Sequence, residues 1–307
     1  MDTRQIGQLD VSVVGLGCNN FGMRIDAERS RAVVDAAIEA GIDYFDTAEA
    51  YGGGQSEEFL GAALQGRRDD VYVATKWGMM PAADGSPANG TREAMRTAID
   101  GSLSRLGTDY IDHYQLHNPD PGTPIGETLA ALAELVDEGK VREIGCSNFS
   151  AEQLDEAEAA AGTARFTTVQ NHLSMLTRDS ETNGVLDACA RHSVGFVPYF
   201  PLESGVLTGK YRSMTELPED SRLKAWGERA GVFLSEERIA AIEAVDSWAA
   251  DRGRTVLDTA MSWLTSNPQV ATVIAGATKA EQAAGNAAAG SWAMTADERA
   301  ELEALLG

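Results

Sequence analysis

An α/β chain built as a (β/α)8 TIM barrel, with an N-terminal β-hairpin and extra helices, is predicted from three observations. Eight apolar runs of strand length recur along the 307 residues, amphipathic helical stretches alternate with them, and nothing between them reads as a linker. A single domain over 1–307 follows, because barrels of this kind run past ~250 residues as one unit. The runner-up is a doubly wound open sheet, which shares the alternation.

The elements follow in order. Thr3 to Ile6 and Leu9 to Val11 read as a hairpin around Gly7-Gln8. The barrel strands are predicted at Val13 to Gly17, Tyr44 to Thr47, Val71 to Thr75, Ile111 to His117, Ile144 to Ser147, Thr168 to Asn171, Gly195 to Tyr199 and Thr272 to Ala275. Helices are predicted at Asp26 to Ala40, Ser56 to Leu64, Thr91 to Leu106, Pro124 to Glu138, Ala151 to Ala160, Asn183 to His192, Thr255 to Ser266 and Lys279 to Ala289. Val33, Val34, Ala37 and Ile38 show the helical period in the first of these, and Gly41 and Gly107 stop two of them. An added helix from Ser235 to about Ala250 and a last one from about Thr295 to Leu306 stand outside the alternation. So do the loops Trp77 to Gly90 and Pro201 to Phe233, which follow strands and are expected to cover the catalytic rim.

Composition narrows the function classes. Hydrophobic residues make up 43% and charged residues 23%, as in a globular protein with a sizeable core. The net charge of −22 repels a phosphate backbone, which argues against nucleic acid as a partner. No apolar run is long enough to cross a membrane, and the first residues lack the apolar core of a signal peptide, so the chain is expected to be cytoplasmic. Cys18, Cys146 and Cys189 form no CxxC pair, which supports neither a disulfide framework nor a zinc site. His113 and His117 fall on a strand, and the histidine pattern supports no metal. GLGCNNFG has Asn20 where a dinucleotide fingerprint needs its third glycine. YGGGQSE lacks the Lys-Ser/Thr of a phosphate loop.

What remains is a constellation at the strand ends. Asp46 and Tyr51 follow the second strand, Lys76 the third and His117 the fourth, which is the rim where a barrel builds its sites.

FDTAEAYG, ATKWG, DHYQLHNPD, VREIGCSNFS and SGVLTGKY, in this order, resemble the aldo-keto reductases, and the resemblance runs from Arg4 to Asn286. It implies that Asp46, Tyr51, Lys76 and His117 are a catalytic tetrad for carbonyl reduction, where a proton must reach the oxygen as hydride reaches the carbon: Tyr51, a phenol with an ordinary pKa of ~10, would donate it, Lys76 would ease its proton loss, Asp46 would hold Lys76 and His117 would orient the carbonyl oxygen. It also implies that Ser147, Asn148 and Gln170 hold a nicotinamide carboxamide and that Tyr199 stacks on its ring. Phe200 stands where the family often has serine. Leu202, Ser204, Gly205, Leu207 and Lys210 would hold the phosphates, and Gly276, Thr278, Lys279, Gln282 and Asn286 the adenosine end. Positions that carry a Lys-Ser pair and an Arg in one version of the family are Gly276, Ala277 and Gln282 here. NADP (as NADPH), the family's usual choice, is the expected cofactor, with Lys279 as the one charge in its favour and NAD as its rival. Phe21, Trp77, Met79 and Asn118 are expected to wall the mouth for a small-molecule aldehyde or ketone, sugar-derived or aromatic. Two other readings stand beside the reductase: a nicotinamide-binding regulatory subunit resembling channel beta subunits, and a lyase or isomerase using Lys76 as a Schiff-base nucleophile. Oligomeric state is not readable from the sequence.

Overall fold

The computed structural model describes residues 1–79, 89–213, 216–219 and 221–306. β1 (Thr3–Ile6) and β2 (Leu9–Ser12) pair as the antiparallel hairpin. Eight parallel strands follow: β3 (Val14–Gly17), β4 (Tyr44–Asp46), β5 (Tyr72–Trp77), β6 (Ile111–Leu116), β7 (Val141–Ser147), β8 (Thr168–His172), β9 (Gly195–Tyr199) and β10 (Val273–Gly276). They lie in the order β10-β3-β4-β5-β6-β7-β8-β9. The sheet's ends meet at Phe196, whose N–H donates to Gln269 O (2.7 Å) and whose carbonyl accepts from Ala271 N–H (2.8 Å). The result is a nearly closed barrel, as expected, and the open sheet is set aside.

Each predicted strand is present. The largest shift is in β7, which begins at Val141 rather than at Ile144 because Val141 pairs with Ile111. The helices are α1 (Ala27–Glu39), α2 (Gln55–Ala63), α3 (Arg92–Leu106), α4 (Ile125–Asp137), α5 (Ala151–Ala160), α6 (Asp179–Thr182), α7 (Val185–His192), α8 (Arg222–Trp226), α9 (Glu236–Ala250), α10 (Val256–Thr265), α11 (Ala280–Ala289) and α12 (Ala296–Leu306). α6 and α8 were not expected, since helices that short show no period. Side chains start several of them: Asp26 accepts from Arg29 N–H, and Ser150 with Gln153 and Thr255 with Asp258 form reciprocal caps.

Alternation along the strands sorts side chains into the barrel or out against the helices. Deep inside, Tyr44, Ala74, Val197 and Ile274 pack with Ile6, Leu9 and Val11, so the hairpin closes the N-terminal end of the barrel. Above them His113 is buried between Tyr44 Oη (2.7 Å to Nδ1) and Thr168 Oγ1 (3.0 Å to Nε2). Burial, with a contribution from the Lys76 charge, pulls its pKa down to about 3. Gly145 is required beside it: a Cβ there would lie 2.5 Å from both His113 Nε2 and Thr168 Oγ1. The next layer toward the C-terminal rim is polar, with Lys76 and Gln115 partners in register, as are Ser147 and Gln170.

Candidate active site

Strand β4 ends in Asp46, and its loop reaches Tyr51 through Ala48 to Ala50, where a short turn begins. Lys76 comes inward from β5 and is fully buried. Its ammonium donates to Asp46 Oδ2 (2.6 Å) and to Thr47 O (2.9 Å). Asp46 Oδ1 accepts from the amides of Gln115 (3.2 Å) and Gln170 (3.0 Å), and Gln170 Nε2 also reaches Gln115 Oε1 (3.3 Å). Both carboxylate oxygens are therefore partnered, which such deep burial demands. Gln115 was not expected in this cluster, although its alternation with His113 along β6 turns both into the barrel.

Tyr51 faces this pair. Lys76 Nζ lies 5.4 Å from the Tyr51 ring centre, and the His117 ring meets Tyr51 edge-on at 5.8 Å between centroids. Burial raises the Tyr51 phenol above its usual pKa; the charge of Lys76 and a hydrogen bond from it pull the other way without prevailing. Lys76 thus eases proton loss from Tyr51 without cancelling the effect of burial, and the phenol stays harder to ionise than in water. Burial also disfavours the Lys76 ammonium, but Asp46 and Tyr51 more than compensate and raise its pKa. A Schiff-base nucleophile needs a neutral amine, and this lysine is a buried, paired cation. His117 is pulled down to about 3 by burial and by Lys76, so it is neutral, and its Nδ1 is buried without a partner.

These groups stand at one part of a cavity of about 730 Å³ on the C-terminal rim. Asp46, Tyr51 and His117 line it, while Lys76 sits behind them. Ser147, Asn148, Gln170 and Tyr199 line it next. Asn148 takes a left-handed backbone (φ 62°), with its Nδ2 donating to His117 O (3.0 Å) and Asn118 Oδ1 (3.0 Å). The Tyr199 hydroxyl donates to Asn148 Oδ1 (2.9 Å), and the Ser147 hydroxyl to Gln170 O (2.7 Å). Leu202, Ser204, Gly205 and Lys210 border the cavity from the turn after β9, and Gly276, Thr278, Lys279, Gln282 and Asn286 from the turn after β10. Gln282 Oε1 closes that second turn by accepting from Thr278 N–H (2.8 Å).

Other predicted residues lie elsewhere. Leu207 is fully buried away from the cavity, and its N–H is engaged with Leu202 O (3.2 Å). Met79 and Asn118 are on the wall as expected, whereas Phe21 and Trp77 are not. Phe21 is buried in the main core, and Trp77, next to the inward Lys76, points outward to stack on Tyr114 at 4.6 Å. The expectation for a covering loop at Trp77 to Gly90 falls largely on 80–88, outside the described residues. In return the structure adds Asn19, Asn20, Arg24 and Arg222 to the wall. Arg222 donates to Asn20 Oδ1 (2.5 Å), and burial, then the Arg24 charge, push its pKa to about 10. The available signal was a basic residue after strand seven in a strongly acidic chain.

The Aldo/keto reductase family profile matches residues 13–306. The chain belongs to the aldo-keto reductase family. Its relatives include a probable voltage-gated potassium channel subunit beta of Oryza sativa subsp. japonica, 33% identical over 85% of this chain and 82% of that one. An L-glyceraldehyde 3-phosphate reductase of Escherichia coli O157:H7 is 33% identical over 86% and 79%. Among solved structures, a glycerol dehydrogenase of Gluconobacter oxydans superposes with a TM-score of 0.86 at 29% identity, covering 99% of this chain and 95% of the other. This aldo-keto reductase is accordingly an oxidoreductase of a family that uses nicotinamide cofactors on small carbonyl compounds. The cavity fits such a group. It carries amide and hydroxyl donors at one end, a buried Ser204 Oγ without a partner, and Lys210, Arg222 and Lys279 as local cations. Among the described residues there is no cluster that could hold a metal ion, and no helix is long and apolar enough to cross a membrane.

Proposed function

We propose that this chain, acting as one barrel domain in the cytoplasm, reduces an aldehyde or ketone to the alcohol, with NADPH favoured over NADH. The observation that carries this is a protonated Tyr51 beside the buried Lys76–Asp46 pair and a neutral His117 on one cavity wall. A bound nicotinamide supplies the hydride to the carbonyl carbon. Tyr51 gives its proton to the carbonyl oxygen, and Lys76 stabilises the phenolate left behind. Asp46 fixes Lys76, and His117 orients the oxygen. Ser147, Asn148 and Gln170 offer amide and hydroxyl partners for the carboxamide, and the face of Tyr199 suits a planar ring. Ser204, Gly205, Lys210 and Arg222 suit phosphates, and Lys279 gives the adenosine end its positive charge. Met79, Asn118 and Phe200 border the substrate's space, and the relatives' names favour small polyol-derived carbonyls.

Similarity to the rice channel beta subunit supports a second reading, a nicotinamide-binding regulatory protein with little turnover. One experiment separates the two. NADPH and NADH absorbance is followed against a panel of aldehydes and ketones, with Tyr51→Phe as control. Turnover lost in Tyr51→Phe supports the reductase, and binding without turnover in the parent chain overturns it.

A further inference from the structure

Glu203 lies in the turn after β9 and is 1% exposed, an unusual place for an acid. Its Oε1 accepts from His172 Nε2 (2.8 Å) and Ser174 Oγ (2.5 Å), and its Oε2 from Arg238 Nη1 (3.1 Å). Burial alone would push its pKa up, but the hydrogen bonds from His172 and Ser174 hold it at about 2. Two of these partners reach the cavity's surroundings. His172 stacks on Tyr199, with centroids 5.4 Å apart and rings 17° from parallel. Arg238 stands in the first turn of α9, the helix added to the alternating barrel, and also donates to Phe233 O, Leu176 O and Thr177 Oγ1.

The backbone here is held against its preference. Phe200 (φ 50°), Glu203 (φ 46°) and Ser204 (φ 56°) all take left-handed conformations that cost non-glycine residues energy, and only Gly205 (φ 93°) does so freely. Such a turn persists where its surroundings over-determine it. A buried carboxylate with three anchors, in the middle of the turn, is that determinant.

We propose that Glu203 is a positioning residue for dinucleotide binding: it holds the Tyr199 ring through His172 and the Ser204–Gly205 turn through its own backbone, both braced on α9 by Arg238. This rests on the proposed placing of the dinucleotide against Tyr199 and that turn. The added helix thereby serves a cavity whose wall it does not form.

The test is direct binding of NADPH, followed by fluorescence titration without carbonyl substrate, to the parent chain, Glu203→Ala, His172→Ala and the double variant. Glu203→Ala is expected to weaken binding about tenfold, or ~1.4 kcal/mol. Dinucleotide KM should rise more than kcat falls. Because the two residues act in one chain of contacts, the double variant should lose little beyond either single one. Arg238 keeps its other partners when Glu203 is removed; if Glu203→Ala still does not fold, Ser174→Ala removes one anchor and should show a smaller loss in the same direction. A folded Glu203→Ala, or failing that Ser174→Ala, that binds NADPH as tightly as the parent overturns the proposal, as does strict additivity in the double variant. A parent chain that binds neither NADPH nor NADH overturns the proposed function instead.

Discussion

Lys76 Nζ lies 2.6 Å from Asp46 Oδ2, and both side chains are almost wholly removed from solvent. A buried pair of this kind is weak evidence for net stability, because desolvation offsets much of the attraction. Removing one partner is another matter, since the other is then an uncompensated charge inside the barrel. Lys76→Met is expected to lower the unfolding free energy by about 3 kcal/mol and to abolish turnover. Lys76→Met with Asp46→Leu should recover part of that stability without recovering activity. Urea unfolding of the two variants checks this; equal stability of parent and Lys76→Met would show that the pair is not closed in solution.

The pH profile of reduction follows from the same cluster. Tyr51 and Lys76 are both raised and His117 is held near 3, so none of them changes state around neutrality. The kcat/KM for reduction is expected to be flat across neutral pH and to fall only above about pH 10, as Tyr51 loses the proton it must donate. A limb near pH 6.5 that vanished in a His117 variant would contradict the neutral assignment of that ring. For stability the sign is the reverse of an ordinary ion pair. The unfolded chain protonates His117 and His113 below about pH 6.5 while the folded chain resists until about pH 3, so these residues destabilise the fold progressively as pH drops through that window.

How much of this was legible in the sequence depends on the kind of signal. Strands and long helices announce themselves by period, and β4 through β9 fall close to where the apolar runs put them. Asp46, Lys76 and His117 were legible because strand ends on one rim must converge once the barrel is accepted. Trp77 could have been placed by the same rule: if Lys76 points inward, its neighbour points out, toward Tyr114. Phe21 could not, since a loop aromatic has no period to say which way it turns. Glu203 was invisible for a related reason. A lone acid within a glycine-bearing loop reads as solvated, and its partners His172, Ser174 and Arg238 are brought to it only by the fold.

Cofactor choice gives a third prediction. Lys279 stands exposed at the start of α11 and Glu281 follows on the same cavity wall, so the positive charge there is partly countered. Lys279→Ala is expected to raise the KM for NADPH by roughly five- to tenfold, about 1 kcal/mol for one exposed charge on a phosphate, and to leave NADH nearly unchanged. Glu281→Gln should move the NADPH value the other way. Both effects should shrink at high salt, because the groups are exposed to solvent. Steady-state kinetics with each cofactor at low and high ionic strength measures this, and an unchanged NADPH KM in Lys279→Ala would remove the charge argument for NADP.

Glu203 has a signature of its own in acid. Its carboxyl sits near 2 in the folded chain against 4.5 ordinarily, so it is a depressed acid: the stability it contributes is fully present above about pH 4.5 and is lost as pH falls toward 2. Glu203→Gln keeps the size and one acceptor oxygen but cannot ionise. The difference in unfolding free energy between parent and Glu203→Gln should therefore be constant at neutral pH and narrow between about pH 4.5 and 2. Other carboxylates titrate in that range too, but they are common to both chains and cancel in the difference. Thermal or urea unfolding of the pair at steps through this window reads the effect. A gap that stayed constant down to pH 2 would mean that Glu203 is not held ionised by His172, Ser174 and Arg238, and the bracing of the Tyr199 turn would lose its electrostatic basis.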